Sequence, residues 1–426
     1  MYLHRRSSLL ALAAMTLASL LTLPTSSQAQ QKEVRWGQWK GTEVGEKFMS
    51  ELKAAFEKDN PGIKLVPVDA PFTGFHDRAI VQHQAKKLPD VLMVQVDWVA
   101  EFADLGMIDA LDERIAKEPK EFWENIPKTF HQAWRGKQFY LPVESGAVAL
   151  FWNTDLFKAA GLSGPPKTWD EFAEMARKLT NPDKRQFAIT GTLQGEPPTN
   201  MTYEIYPLML QAGAKLIDAT TNKAVFNSPE GVAAVEWYVE RINKDKISVP
   251  GVLSNGEKEK RANFASGNIA MMLEGPWGIA IQKQLNPKLN YEIAPLPTGK
   301  AAGTMVRGSL NTLSSQAQDK DAAWAFISWM SGPRGIEMWA KGTGAFPART
   351  DVANQDWFKE RKEFQAFVTQ MGRSNAESPF LVMPNAVQMN KIMTTEVQNV
   401  VQGKKSAKQA LDDAAAEWTK ILASAK

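Results

Sequence analysis

EVRWGQWKGTEVGEKFMSELKAAFEKDNPGIKLVPV, residues 33–68, is the stretch whose reading decides the fold. Its first seven residues alternate apolar and polar side chains, which predicts a strand. Phe48, Leu52 and Phe56 then recur every four residues, as on one face of a helix. Asn60-Pro61-Gly62 is a turn, and IKLVPV over 63–68 is a second strand, interrupted by Pro67. The order continues with a helix over 74–87 and a strand, VLMVQV, over 91–96. Val99, Phe102, Ala103 and Met107 lie on a further helical face, with Gly106 near its end. Strands separated by helices predict a parallel sheet covered on both faces.

A second unit begins near residue 143. QFYLPV (138–143), VALFWNT (148–154), QFAIT (186–190), the apolar run 269–273 and YEIAPLP (291–297) read as strands. Thr168 with Glu171 three residues later is a capping box, opening a helix buried through Trp169, Phe172, Met175, Ala176 and Leu179. Further helices are predicted over 204–213, 229–243, 319–331 and 333–341, and over most of 355–371 and 385–425.

The chain has 426 residues, 44% hydrophobic and 23% charged, a globular composition long enough for two or three domains. Arg5 and Arg6, the apolar run Leu9 to Leu23 and the small-x-small triplet Ser27-Gln28-Ala29 predict a cleavable signal peptide over 1–29. The Arg5-Arg6 pair also raises twin-arginine export, which the flanking residues match poorly. No cysteine is present, which excludes disulfides, thiolate metal sites, cysteine nucleophiles and a lipid anchor on cysteine. That combination suits a bacterial periplasm. The formal charge of +3 falls to about +1 without Arg5 and Arg6, and no long basic run supports a nucleic-acid or membrane-surface partner.

In open α/β sheets, ligands sit beyond the carboxyl ends of the strands. Trp39 and Lys40 follow the first strand, Asp97 and Trp98 the third, Glu144 and Ser145 the strand 138–143, and Glu274 and Trp277 the strand 269–273. Tryptophans beside charged groups suit a carbohydrate: flat rings cover the C–H faces, and charged groups take the hydroxyl rim. Enzyme signals are weak. There is no G-x-S-x-G, HExxH or P-loop, and His76 and His83 lack a third ligand, so no metal and no cofactor are expected. Glu144 and Glu274 could be imagined as a glycosidase pair, whose separation the sequence does not give.

These residues carry a resemblance. FWNTDLFKAAGLSGPPKTWDEFAEMARKLT (151–180), Pro89-Asp90-Val91 and FASGNIAMMLEGPWGI (264–279) resemble the extracellular solute-binding proteins of bacterial sugar ABC importers, the maltose-binding-protein-like family. Gly342-Thr343-Gly344 with Pro347-Ala348-Arg349 is similar to that family's late loop. The resemblance implies an α/β fold of two lobes, each a mostly parallel sheet flanked by helices, with the ligand cleft at the hinge. It implies a first lobe of 30–142 plus 295–333 and a second of 143–294 plus 334–426, with crossings near 142–144, 293–297 and 332–335. It implies ligand contacts at Trp277, Glu144, Asp97, Trp39 and Lys40, at Arg307-Gly308, at Phe346 and Arg349, and, in the loop 194–203, at Asn200 and Tyr203; Trp98 and Glu274 join the candidate contacts from their places beyond the strand ends. It implies a monomer that performs no chemistry, binds a mono- or oligosaccharide and hands it to a permease in the inner membrane. A polyol, a glycerol-phosphate type of solute and an acidic sugar stay open because of Arg307, Arg349 and Lys40. A secreted carbohydrate-active enzyme is the remaining rival.

Overall fold

The computed structural model describes residues 31–195, 200–373 and 375–424. The expected signal peptide, 1–29, lies outside them. Among the described residues no helix is long and apolar enough to cross a membrane.

The opening stretch folds as read. β1 (Lys32–Gln38) and β2 (Ile63–Asp69) run parallel, with the helix Glu46–Asp59 between them burying Met49, Leu52 and Phe56. Pro67 does not interrupt β2. It pairs with Trp36, and β2 is the edge strand, where a residue without an N–H loses no ladder bond. β3 (Val91–Gln95) also runs parallel to β1. β4 is only Leu141–Pro142. β5 (Glu144–Ala147) and β6 (Ala149–Asn153) are two halves of one extended run. Four short strands follow: β7 (Ile217–Asp218), β8 (Lys223–Ala224), β9 (Met271–Glu274) and β10 (Tyr291–Ala294). β11 (Gly303–Arg307), β12 (Ser309–Leu313), β13 (Phe346–Pro347) and β14 (Asn375–Glu377) complete the set. QFAIT forms no strand. Phe187 and Ile189 make single bridges to Ile269 and Ser248.

The strands form a five-stranded sheet, β2-β1-β3-β12-β4, a three-stranded sheet, β10-β6-β9, a four-stranded sheet, β13-β5-β11-β14, and the β7-β8 ribbon. Strand direction departs from the mostly parallel expectation. β12 is antiparallel to β3 and β4, and β6 is antiparallel to both β9 and β10. β5 is antiparallel to β11 and β13. Each strand pairing with the run Glu144–Asn153 enters from its far end, so strand–helix alternation does not produce parallel neighbours there.

Two chain segments pass side by side between the sheets. β4 continues through Val143 into β5, and β11 continues through Gly308 into β12. Val143 N–H donates to the Ser309 carbonyl at 2.9 Å, tying the two passages together. Gly308 suits this place because a Cβ there would lie 2.2 Å from the Glu144 carbonyl oxygen. The segment 293–297, expected to cross, instead begins in β10, on β6, and Leu296 lies in the core around Trp152 and Trp277.

The core around the five-stranded sheet runs from Val34 to Val143 and takes in Val306, Leu310 and Phe326. It also includes Trp339 and Ala345, beyond the expected return at 332–335. Trp36 holds this region together, with its ring 5.0 Å from Phe326 and 6.0 Å from Trp339. The other cores gather the helices 200–243 and the C-terminal helices Ala386–Val401 and Ala407–Ser424 around Tyr206, Phe226 and Trp418, and the β6 neighbourhood around Phe151 and Trp152.

Candidate functional site

A small cavity lies where the two passages cross. It is lined by Trp39, Lys40, Glu43, Phe72, Gln95, Glu144, Tyr203, Glu257, Arg261, Trp277, Arg307 and Gly308. The ends of β1 and β3 supply Trp39, Lys40 and Gln95 from the five-stranded sheet. The helices Asn200–Tyr203 and Glu257–Ala265 supply Tyr203, Glu257 and Arg261, and the turn after β9 supplies Trp277. An outer groove continues from the cavity and shares Glu43, Phe72, Glu257 and Arg261 with it.

Trp277 sits at the start of the helix Gly278–Leu285. Its indole Nε1 donates to Glu274 Oε1 at 2.7 Å. The ring folds over its own turn: a Cβ on Gly275 would stand 2.2 Å from it. Tyr203 meets it edge-on at 6.3 Å, and Lys40 Nζ lies 5.8 Å from its centroid. Trp277 is 8% exposed and lines the cavity.

Glu274 is fully buried and does not line the cavity. Besides Trp277, its oxygens take Arg261 Nε at 2.8 Å, the Gly275 N–H at 3.0 Å and Lys260 Nζ at 3.4 Å. Burial pushes its pKa up, but Arg261 and Lys260 outweigh burial and hold it at about 2. Glu274 thus positions the tryptophan, with its acceptor sites occupied by the protein.

Glu144 is similarly engaged. Its Oε1 accepts from Ser309 Oγ at 2.7 Å and faces Lys40 Nζ at 3.1 Å, while its Oε2 accepts from Trp339 Nε1 at 2.9 Å. Lys40 also reaches Glu43 at 3.2 Å. Burial lowers the Lys40 pKa, and Glu144 and Glu43 more than restore it, so the ammonium is held charged. Arg307 donates from Nη1 to Thr202 Oγ1 at 2.6 Å and from Nη2 to Gln95 Oε1 at 3.0 Å.

The other expected contacts lie elsewhere. Trp98 backs the cavity wall, packing on Trp39 at 5.6 Å and stacked with Phe72 at 5.9 Å. Asp97 is buried and does not border the cavity. Its Oδ2 accepts from Asn390 at 3.4 Å, Oδ1 has no partner among the described residues, and burial raises its pKa against the pull of Arg307. Phe346 packs edge-on against Phe358 at 4.8 Å. The Arg349 guanidinium is occupied by Asp351, at 2.8 and 2.9 Å, and by the carbonyls of Phe122 and Ser331, both at 3.2 Å. Asn200 begins the short helix that carries Tyr203, and its side chain lies outside the described residues. Sequence reasoning missed Glu43, Phe72, Gln95, Glu257 and Arg261. Gln95 and Glu43 could have been found by widening the strand-end search by two or three residues. Glu257 and Arg261 sit on a helix far from any strand end, and nothing local marks them.

An α/β molecule with an aromatic and charged cavity where paired strands cross between its sheets defines a binding protein of the two-lobe type. The family model described as bacterial extracellular solute-binding protein matches residues 38–337, and the chain belongs to that family. Among solved structures it is similar to an ABC transporter solute-binding protein from Thermotoga lettingae bound with α-D-tagatose. The two are 25% identical with a TM-score of 0.83, over 92% of this chain and 100% of that one. A putative binding protein of Brucella abortus is 25% identical over 95% of this chain and 97% of its own. The sn-glycerol-3-phosphate-binding periplasmic protein UgpB of Escherichia coli is also 25% identical, over 96% of each chain.

Proposed function

We propose that the protein is the ligand-binding component of an ABC importer for a carbohydrate. It is exported to the periplasm, acts as a monomer, performs no chemistry and delivers its ligand to permease subunits in the inner membrane. The observation that carries this reading is the Trp277 ring, pinned by Glu274 and Gly275 and bordering a cavity that also holds Lys40, Tyr203 and Arg307. An aromatic platform beside hydrogen-bonding groups of both kinds matches a sugar, with its apolar face and hydroxyl rim. The tagatose-bound relative supports the same class. We take the lobes to divide at Val143 and Gly308 and again after Ala345, with Leu381 and Val387 reaching back into the first core.

A second reading is a glycerol-phosphate type of solute. The UgpB relative favours it, as does Arg307, which among the described residues has no carboxylate within ion-pair distance.

The test is thermal unfolding against a panel of sugars, polyols and phosphorylated polyols. A ligand bound only by the native state raises the melting temperature. At least one sugar should do so, and Trp277→Ala should weaken its binding by about 1 kcal/mol or more, roughly fivefold. Stabilisation by an unrelated solute alone, or unchanged binding in the variant, would overturn the reading.

A further inference from the structure

The cavity walls carry three cations, and their partners differ. Lys40 lies between Glu43 and Glu144, at 3.2 and 3.1 Å. Arg261 lies between Glu257 and Glu274, at 3.0 and 2.8 Å. Arg307 is 3% exposed, and among the described residues no carboxylate stands within ion-pair distance of it. Neutral oxygens hold it instead: Thr202 Oγ1 from one side and Gln95 Oε1 from the other. A buried guanidinium with only neutral partners is costly, and it has donors left over.

The surroundings of Arg307 are donors too. The Gln95 amide turns its oxygen to Arg307, which leaves its NH₂ group on a residue that lines the cavity. Tyr203 borders the same cavity, and its ring lies 5.5 Å from the Arg307 guanidinium carbon. Burial pushes the Tyr203 phenol well above its usual pKa, so it remains an O–H donor. Asp97 acts on Arg307 only at longer range and makes no ion pair with it.

On the reading of this cavity as a carbohydrate site, we infer that its ligand is a sugar acid with a single carboxylate, bound by the Arg307 guanidinium with Gln95 and Tyr203 beside it. A carboxylate matches the planar fork of the guanidinium and completes one missing ion pair. A phosphate monoester suits the site less. It brings close to two negative charges at neutral pH. One unpaired cation faces it, while Glu43, Glu144 and Glu257 line the same cavity.

The test is calorimetry and thermal shift on the mature protein with neutral mono- and disaccharides. Each is paired with its uronic or aldonic acid, and glycerol 3-phosphate and glucose 6-phosphate are added. At least one acid should bind about tenfold tighter than its neutral parent, the range of a charge-assisted contact. In Arg307→Gln that ratio should collapse toward one, and Arg307→Lys should keep part of it. Circular dichroism checks that both variants fold, and the wild-type ratio stands without them. If neutral sugars bind as tightly as their acids, or glucose 6-phosphate binds more tightly than either, the inference falls while the carbohydrate reading survives; if glycerol 3-phosphate binds most tightly, both give way to the second reading. If neither sugars nor sugar acids bind, both fall together.

Discussion

Glu274 and Trp277 show how one residue's place can be legible and its task not. A tryptophan beyond a strand end, after Gly-Pro, stands out in the sequence as a ring at a turn. The carboxylate before it reads equally as a ligand contact. The difference lies in Arg261 and Lys260, 13 and 14 residues upstream, which reach it only because their helix packs on β9. Their charges hold Glu274 at a pKa of about 2, against an ordinary value of 4.5. A carboxyl depressed in the fold stabilises it at pH values above the unfolded pKa, and that contribution is lost as pH falls from about 4.5 toward 2. Its size is about 3 kcal/mol at neutral pH. Glu274→Gln should therefore destabilise the protein at pH 7. The gap to wild type should narrow when urea unfolding is repeated at pH 3. Parallel pH profiles for the two proteins would remove Glu274 from the acid response.

At the scale of elements, the sequence was most legible where one face of a helix or strand is apolar and the other wet. The helix Trp169–Leu179 is such a case. Thr168 Oγ1 accepts the Glu171 N–H at 3.2 Å, as the capping box requires. The Glu171 carboxylate, however, reaches back to the Lys167 N–H at 2.6 Å instead of that of Thr168, so the box closes one residue early. Thr168→Ala should cost about 1 kcal/mol, read as a lower urea midpoint at unchanged slope. No loss would mean that Glu171 alone secures this end. Strands β11 and β12 escaped sequence reading for a physical reason. Thr304, Ser309, Asn311 and Thr312 are fully buried there, so no apolar–polar alternation marks the segment. Part of their polar surface finds partners inside: Asn311 Oδ1 accepts from Trp36 Nε1, and Thr312 donates to the Leu92 carbonyl. The crossing was consequently sought at the more apolar 293–297, which belongs to β10 and the core beyond it.

For the whole molecule, the cavity's construction fixes what binding must involve. Gln95 and Lys40 approach from the five-stranded sheet, and Tyr203, Arg261 and Trp277 from the other side, with only the paired crossings at Val143 and Gly308 beneath them. Polar contacts join the two sides at the site: Arg307 to Gln95 and Thr202, Asn390 to Asp97, and Lys40 beside Trp277. On the proposed reading, a ligand held between the two sides enters as they part and then favours their closure. Saturating ligand should therefore lower the radius of gyration measured by small-angle scattering. At a hundred times its Kd it should also add about 2.7 kcal/mol to the unfolding free energy. Arg307→Gln weakens the existing bridge between the two sides, so the ligand-free variant should scatter as a more extended particle than wild type. If ligand stabilises the protein while the radius of gyration stays fixed in both forms, the cavity admits its ligand without hinge motion, and coupling between binding and closure is ruled out.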